Sequence, residues 1–283
     1  MLTFPKEAVM PAPLACESIA LNGTVALTPA TALPARHEAP RERFTLRLRS
    51  RLFNAVFLGY TFLFVLSVYP LLLWPTRRPL ARAMKLYAGG VLWLMRRLAG
   101  IRVDVRGREH LPPSGAYILA SKHQSEADGL IQMALVDDLA FVAMKEVGKY
   151  PLVGPVLRKL EMVLIDTDGG PREVATLADG GRNAAASGRP ILIYPEGTLM
   201  KVGERGKYRA GVYHLAADLG LPVIPVATDV GRCWDRRQKI KRPGRATVTF
   251  LPAMRAGADK RAFMAVLEET IEAECARLAA AGN

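Results

Sequence analysis

His123 and Asp128 stand five residues apart in SKHQSEADGL, directly after the apolar run AYILAS. A histidine held by a carboxylate suits the removal of a hydroxyl proton, because imidazole titrates near neutral pH. In a continuous helix, residues five apart point about 140° away from each other. The pair works only if His123 lies in the loop before the helix. Ser125 and Asp128 form S-x-x-D, a capping-box pattern that predicts such a helix start. With Ser125 as the cap, His123 folds back toward the first turn. Asp128 then bonds one ring nitrogen and leaves the other free, the arrangement of a catalytic dyad. The same residues also read as a plain helix start, with Asp128 stabilising the N-terminus and nothing more.

A second constellation is ILIYPEGTLMKVGERGKYRAG, residues 191–211. An apolar strand ends at Pro195, followed by Glu196, Gly197 and Thr198, then a glycine-containing loop with Lys201, Arg205, Lys207 and Arg209. Backbone N–H groups around Gly197 could face an anion, with positive charge nearby. The bland reading is a strand-to-helix loop with solvated charges. There is no G-x-x-x-x-G-K-[ST], G-x-S-x-G or H-E-x-x-H, so nucleotide-phosphate loops, serine-hydrolase elbows and zinc proteases of those types are excluded. Cys16, Cys233 and Cys275 are odd in number and far apart, which fits neither a disulfide framework nor a metal cluster. No metal and no cofactor is expected, and a reducing environment is.

These loops need a scaffold. From residue 100 onward, β-branched runs alternate with helical stretches. Strands are predicted over 101–105, 116–121, 139–143, 162–166, 191–195, 222–227 and 246–251. Helices are predicted near 128–136, 150–160, 171–187, 209–219 and 259–280. The alternation predicts an α/β fold, a central mixed sheet flanked by helices, over 100–283. Residues 1–40 are rich in Ala and Pro and read as a disordered tail, with Met10 a possible later start.

Leu52 to Trp74 contains no charged residue. As a helix it would be about 34 Å long, enough to cross a hydrocarbon core. Arginines flank it on both sides: Arg41, Arg43, Arg47, Arg49 and Arg51 before, Arg77, Arg78 and Arg82 after. A single crossing cannot keep both flanks on the positive side. With Pro70 and Pro75 to bend the chain and LYAGGVLWLM (86–95) to follow, residues 41–99 are expected to form a membrane-embedded helical hairpin. The chain holds 39 Lys and Arg against 26 Asp and Glu, a net charge of +13, which favours anionic partners. Nucleic acid is not expected, since neither zinc-finger spacing nor an aromatic ribonucleoprotein signature occurs.

Taken in order, KHQSEAD, YPEGT and LPVIPVA resemble the glycerolipid acyltransferases over about residues 80–255, and within them the bacterial 1-acylglycerol-3-phosphate acyltransferase branch. MKEVGKYPLVGPVLRKLEMVLID is similar to that family's linking segment, with Lys145, Pro151 and Gly154 in matching places. The resemblance implies that His123 deprotonates an acceptor hydroxyl, that Asp128 orients it, and that Glu196, Gly197 and Thr198 shape the acceptor site. It implies acyl-CoA or acyl-carrier protein as donor, a lyso-lipid acceptor, and a place on the bacterial inner membrane with the catalytic domain facing the cytoplasm. Two positions depart from the pattern: Thr167 and Leu199 stand where the family has arginines associated with acceptor phosphate. Either Lys201, Arg205, Arg209 or Arg172 substitutes, or the acceptor lacks a phosphomonoester, as lyso-ornithine lipid does. Lysophosphatidic acid is the leading acceptor. A non-catalytic membrane lipid-binding protein is the alternative of a different class. His110 reads as a turn residue, His214 as a helix residue near the core, and 236–245 as a solvated basic loop.

Overall fold

The sheet is built from runs that are apolar on both sides. Ile118–Ser121 and Val223–Thr228 are buried at every position, as strands covered on two faces must be. We analysed a computed structural model, which describes residues 40–166, 170–235 and 239–281. Its strands are β1 (Ile101–Arg106), β2 (Ile118–Ser121), β3 (Ala140–Met144), β4 (Val163–Ile165), β5 (Ile191–Ile193), β6 (Val223–Thr228) and β7 (Gly244–Phe250). The helices are α1 (Pro40–Val68), α2 (Arg78–Leu94), α3 (Ala127–Leu135), α4 (Gly154–Lys159), α5 (Pro171–Ala186), α6 (Gly211–Leu219) and α7 (Lys260–Ala281). Every strand and helix expected beyond residue 100 is present, with ends shifted by a few residues.

The strands form one seven-stranded sheet in the order β1-β7-β6-β2-β5-β3-β4. Neighbours pair parallel except β6 and β7, which pair antiparallel, so the sheet is mixed. Side chains alternate between its faces. Leu119, Leu192 and Ile224 point to a core shared with Tyr87 and Val91 of α2, Ile131 of α3 and Phe53 of α1. Ile118, Ile193 and Val223 point to a core shared with Leu177 of α5, Leu215 of α6, and Leu267 and Ile271 of α7. Helices therefore cover both faces.

α1 and α2 are joined by a short 3-10 turn, Tyr69–Leu73, and the described residues all belong to one compact unit. Proline fits the start of that turn and of α2, where no helical N–H is lost. α2 is two-faced. Leu80, Tyr87, Ala88, Val91 and Leu94 are buried, while Leu86 and Trp93 are exposed. The stretch 86–95 thus gives half its apolar surface to the protein core. α1 is held along one side: Phe53 and Phe57 meet the Trp234 ring edge-on at 5.3 and 5.6 Å, and Tyr60 and Phe64 stack on Tyr87. Its Leu58 and Leu63 remain 65% and 66% exposed. The tail expected over 1–40 lies outside the described residues, apart from Pro40.

Candidate active site

The two chemical motifs are far apart in sequence and adjacent in space because β2 and β5 are neighbouring parallel strands. Ile118, Leu119 and Ala120 pair with Ile191, Leu192 and Ile193. Both strands therefore end at the same sheet edge, where ligands of open α/β sheets collect. β2 runs out into Lys122 and His123; β5 runs out into Tyr194, Pro195 and Glu196.

At the start of α3 the N-cap is Glu126, one residue after the expected Ser125, and the S-x-x-D pattern closes only half a capping box. Ser125 Oγ accepts the Ala127 N–H at 3.1 Å, and Asp128 Oδ2 accepts the Ser125 N–H at 2.8 Å. Asp128 Oδ2 also accepts the Gln124 N–H at 2.7 Å. The loop so folded places His123 Nδ1 3.1 Å from the same oxygen. Nε2 has no hydrogen-bond partner among the described residues, and His123 lines a cleft. One face of its ring stacks on Tyr194, with centroids 3.9 Å apart and planes 16° from parallel. Burial pushes the Tyr194 phenol well above its ordinary range, so this support stays neutral.

The backbone of His123 is fixed from both sides by the downstream motif. Its N–H donates to Glu196 Oε2 at 3.0 Å, and its carbonyl accepts the Met200 N–H at 2.7 Å. Glu196 Oε1 lies 2.7 Å from Lys122 Nζ, an ion pair angled away from a straight hydrogen bond. Burial pushes the Glu196 carboxyl up, against the downward pull of Lys122 and the His123 N–H. Gly197 has φ +66, a backbone region that suits glycine, and a Cβ there would meet Arg209 Nε at 3.0 Å. The Arg209 N–H donates to Pro195 O at 2.8 Å, which lays this arginine along the Gly197 turn.

The cleft has a volume of about 1180 Å³. One wall is apolar: Phe141, Val142 and Ala143 of β3, Ile165 of β4, and Val174 and Leu177 of α5. The other carries His123, Gly197, Thr198, Lys207, Arg209 and His214. His123 thus meets an apolar volume, in a cleft that the bases Lys207 and Arg209 and the acids Asp166 and Glu173 also line.

The site residues expected from sequence divide accordingly. His123, Asp128, Gly197, Thr198 and Arg209 come together. Glu196 is adjacent, but its oxygens face Lys122 and the His123 N–H and it does not line the cleft. Lys201 and Arg205 are exposed and pair with Glu204 at 3.5 Å and Glu269 at 3.3 Å, outside the cleft. Their charge is drawn aside by acids of the loop and of α7. Lys145 is exposed on a 3-10 turn after β3, between the lining residues Met144 and Val147 but not itself lining. Arg172 on α5 does not line the cleft either, and Thr167 lies outside the described residues. Leu199 does line it. His110 closes a turn through Phe250 O at 2.9 Å, as expected. His214 is half-buried on α6, with one side open to the cleft.

Sequence reasoning missed Lys122, Tyr194, Lys207 as a lining residue, and Glu272. The signals were present: a lysine closing an apolar strand, an aromatic just before Pro-Glu-Gly-Thr, and an acid within the apolar side of a helix.

A family model described as Acyltransferase matches residues 102–229. The 1-acyl-sn-glycerol-3-phosphate acyltransferase of Pseudomonas aeruginosa is 36% identical over 182 residues, covering 64% of this chain and 70% of that protein. The protein of that name from Limnanthes alba is 30% identical, covering 64% of each chain. The mouse alpha form is 27% identical, covering 55% of each. A crystal structure of the 1-acyl-sn-glycerophosphate acyltransferase PlsC from Thermotoga maritima shares the fold, with a TM-score of 0.66 and 19% identity over 84% of this chain and 96% of that one.

Proposed function

This chain belongs to the glycerolipid acyltransferase family, in its bacterial branch, and from that premise we propose that it acylates lysophosphatidic acid to phosphatidic acid. The donor is acyl-CoA or acyl-carrier protein. The carrying observation is the dyad in its cleft: His123 keeps Nδ1 on Asp128, leaves Nε2 without a partner among the described residues, and shares a cleft with Arg209 and Lys207. Nε2 takes the acceptor's hydroxyl proton as its oxygen attacks the thioester carbon. The C–O bond forms, the C–S bond breaks, and the imidazolium returns the proton to the leaving sulfur. No acyl-enzyme is formed in this scheme. Asp128 holds the ring in the tautomer that leaves Nε2 able to accept.

Arg209 and Lys207 take the phosphate. Leu199 brings no charge at the family's arginine position, and Arg209 lies along the adjacent Gly197 turn. A guanidinium grips phosphate through two parallel hydrogen bonds. Gly197 and Thr198 border the headgroup, while the apolar wall suits a fatty chain.

α1 is the membrane element. Arg43–Leu73 is long and apolar enough to cross a bilayer, and most of it is uncovered by protein. Exposed Trp74 and Trp93 suit the interface, and Arg96 and Arg97 suit anionic headgroups. We place the enzyme on the bacterial inner membrane with its sheet toward the cytoplasm.

The test is an acceptor panel with one labelled acyl donor: lysophosphatidic acid, lysophosphatidylglycerol and lyso-ornithine lipid. Lysophosphatidic acid is expected to be acylated fastest. Transfer only to acceptors without a phosphomonoester would replace the substrate, and no transfer to any of them would favour a lipid-binding role.

A further inference from the structure

Glu272 sits where an acid is costly. It is 5% exposed on α7, beside Ile271 and one turn from Cys275, both buried against the sheet. A buried carboxylate must be paired. Its Oε1 receives Lys122 Nζ at 2.6 Å and the Tyr208 hydroxyl at 3.1 Å.

Lys122 is itself 1% exposed; its ammonium donates to Glu272 Oε1 and to Glu204 O at 2.9 Å, and pairs ionically with Glu196 Oε1 at 2.7 Å. Burial pulls its pKa down, but Glu196 and Glu272 more than offset this and hold it above its ordinary range. From this cage two lines run to the cleft. One passes through Lys122 and Glu196 to the backbone of His123. The other passes through Tyr208 to its neighbours Lys207 and Arg209, which line the cleft.

We infer that Glu272 is a positioning residue for the reaction, holding the His123 loop and the Lys207–Arg209 loop in one fixed relation. It lies outside the residues matched by the family model, 102–229, so the carboxyl-terminal helix becomes part of the active-site scaffold. The inference rests on the reading of His123 as the base.

The test compares Glu272→Gln, Glu272→Leu and the double variant Lys122→Met/Glu272→Leu, with His123→Ala as control. Each is measured for thermal midpoint, kcat and acceptor KM. Glu272→Gln keeps the shape and loses the charge; its midpoint is expected to fall, since Lys122 keeps only Glu196 as counterion, and kcat measured well below that midpoint is expected to fall about tenfold or more, since small misplacements of catalytic groups cost up to about a hundredfold. The double variant removes Lys122 as well but leaves the Glu196 carboxylate buried with only the His123 N–H, so its midpoint is expected to fall at least as far as that of Glu272→Leu, with kcat lower still. Wild-type kcat and KM in Glu272→Gln would overturn the inference, as would kcat losses across the three variants that vanish once the folded fraction is accounted for. Full activity in His123→Ala would instead overturn the base assignment.

Discussion

One oxygen of Asp128 holds both the His123 ring and the loop that carries it. Asp128 Oδ2 lies 3.1 Å from His123 Nδ1, 2.7 Å from the Gln124 nitrogen and 2.8 Å from the Ser125 nitrogen. The helix cap and the dyad are therefore one structure. Asp128→Ala is expected to lower stability by about 1–2 kcal/mol through loss of the cap. It should also lower kcat by about a hundredfold through loss of the ring's orientation. Asp128→Asn should keep more of the stability than of the activity. Denaturant unfolding and steady-state kinetics on the same preparations check this, and an Asp128→Ala protein with wild-type kcat would separate the cap from the chemistry.

The basic loop should split by position. Arg209→Ala is expected to raise the acceptor KM about tenfold or more, because a charge-assisted contact is worth about 1.5–3 kcal/mol. Arg209→Lys should restore only part of it, since the bidentate geometry is lost. Lys201→Ala and Arg205→Ala, whose side chains lie outside the cleft, should change KM by less than about twofold. Equal effects at all three positions would mean that general positive charge, not placement, attracts the acceptor.

Leu58 and Leu63 lie on the uncovered side of α1. Replacing both with Asp should release the protein from vesicles in a flotation assay, since a charge in the bilayer costs about 2.5–3.5 kcal/mol on insertion scales. The thermal midpoint in detergent should barely move, because neither side chain packs on the sheet. Undiminished flotation would place the lipid contact elsewhere.

Lys122 predicts an alkaline signature. Its folded pKa is raised by Glu196 and Glu272 despite burial, so the folded state keeps the proton longer than the unfolded chain does. The stability this provides is complete below about pH 10.4, where free lysine begins to lose its proton, and fades as pH rises through the folded value. The stability difference between wild type and Lys122→Met/Glu272→Leu should shrink above that pH. A difference that stays constant across the alkaline range would remove the ion cage as its source.

How far these features can be read from sequence depends on the range of the interactions involved. The strands and helices beyond residue 100 were legible because alternation and β-branched runs are local signals. The helix start around Ser125 and Asp128 was legible for the same reason, although the N-cap falls on Glu126. The pairing of β2 with β5 was not, since it depends on strand order, and it is what brings Glu196 under His123. Glu196 was read as an acceptor-site residue, yet both its oxygens face inward, to Lys122 and to the His123 backbone. Lys201 and Arg205 looked equivalent to Arg209 as charges on one loop. Only the turn at Gly197 and the acids Glu204 and Glu269 distinguish them. The run 86–95 could not be divided from composition, because apolar surface facing lipid and apolar surface facing a core have the same residues. Glu272 was invisible as a site residue because its partners lie 150 and 64 positions away.

His123 Nε2 is proposed to remove the acceptor proton during acyl transfer. The direct measurement is the rate of labelled phosphatidic acid formation from lysophosphatidic acid and a labelled acyl donor, by wild type and by His123→Ala shown to be folded and membrane-bound. Product is expected from the wild type, and a rate at least about a hundredfold lower from the variant. Equal rates from the two proteins would contradict it.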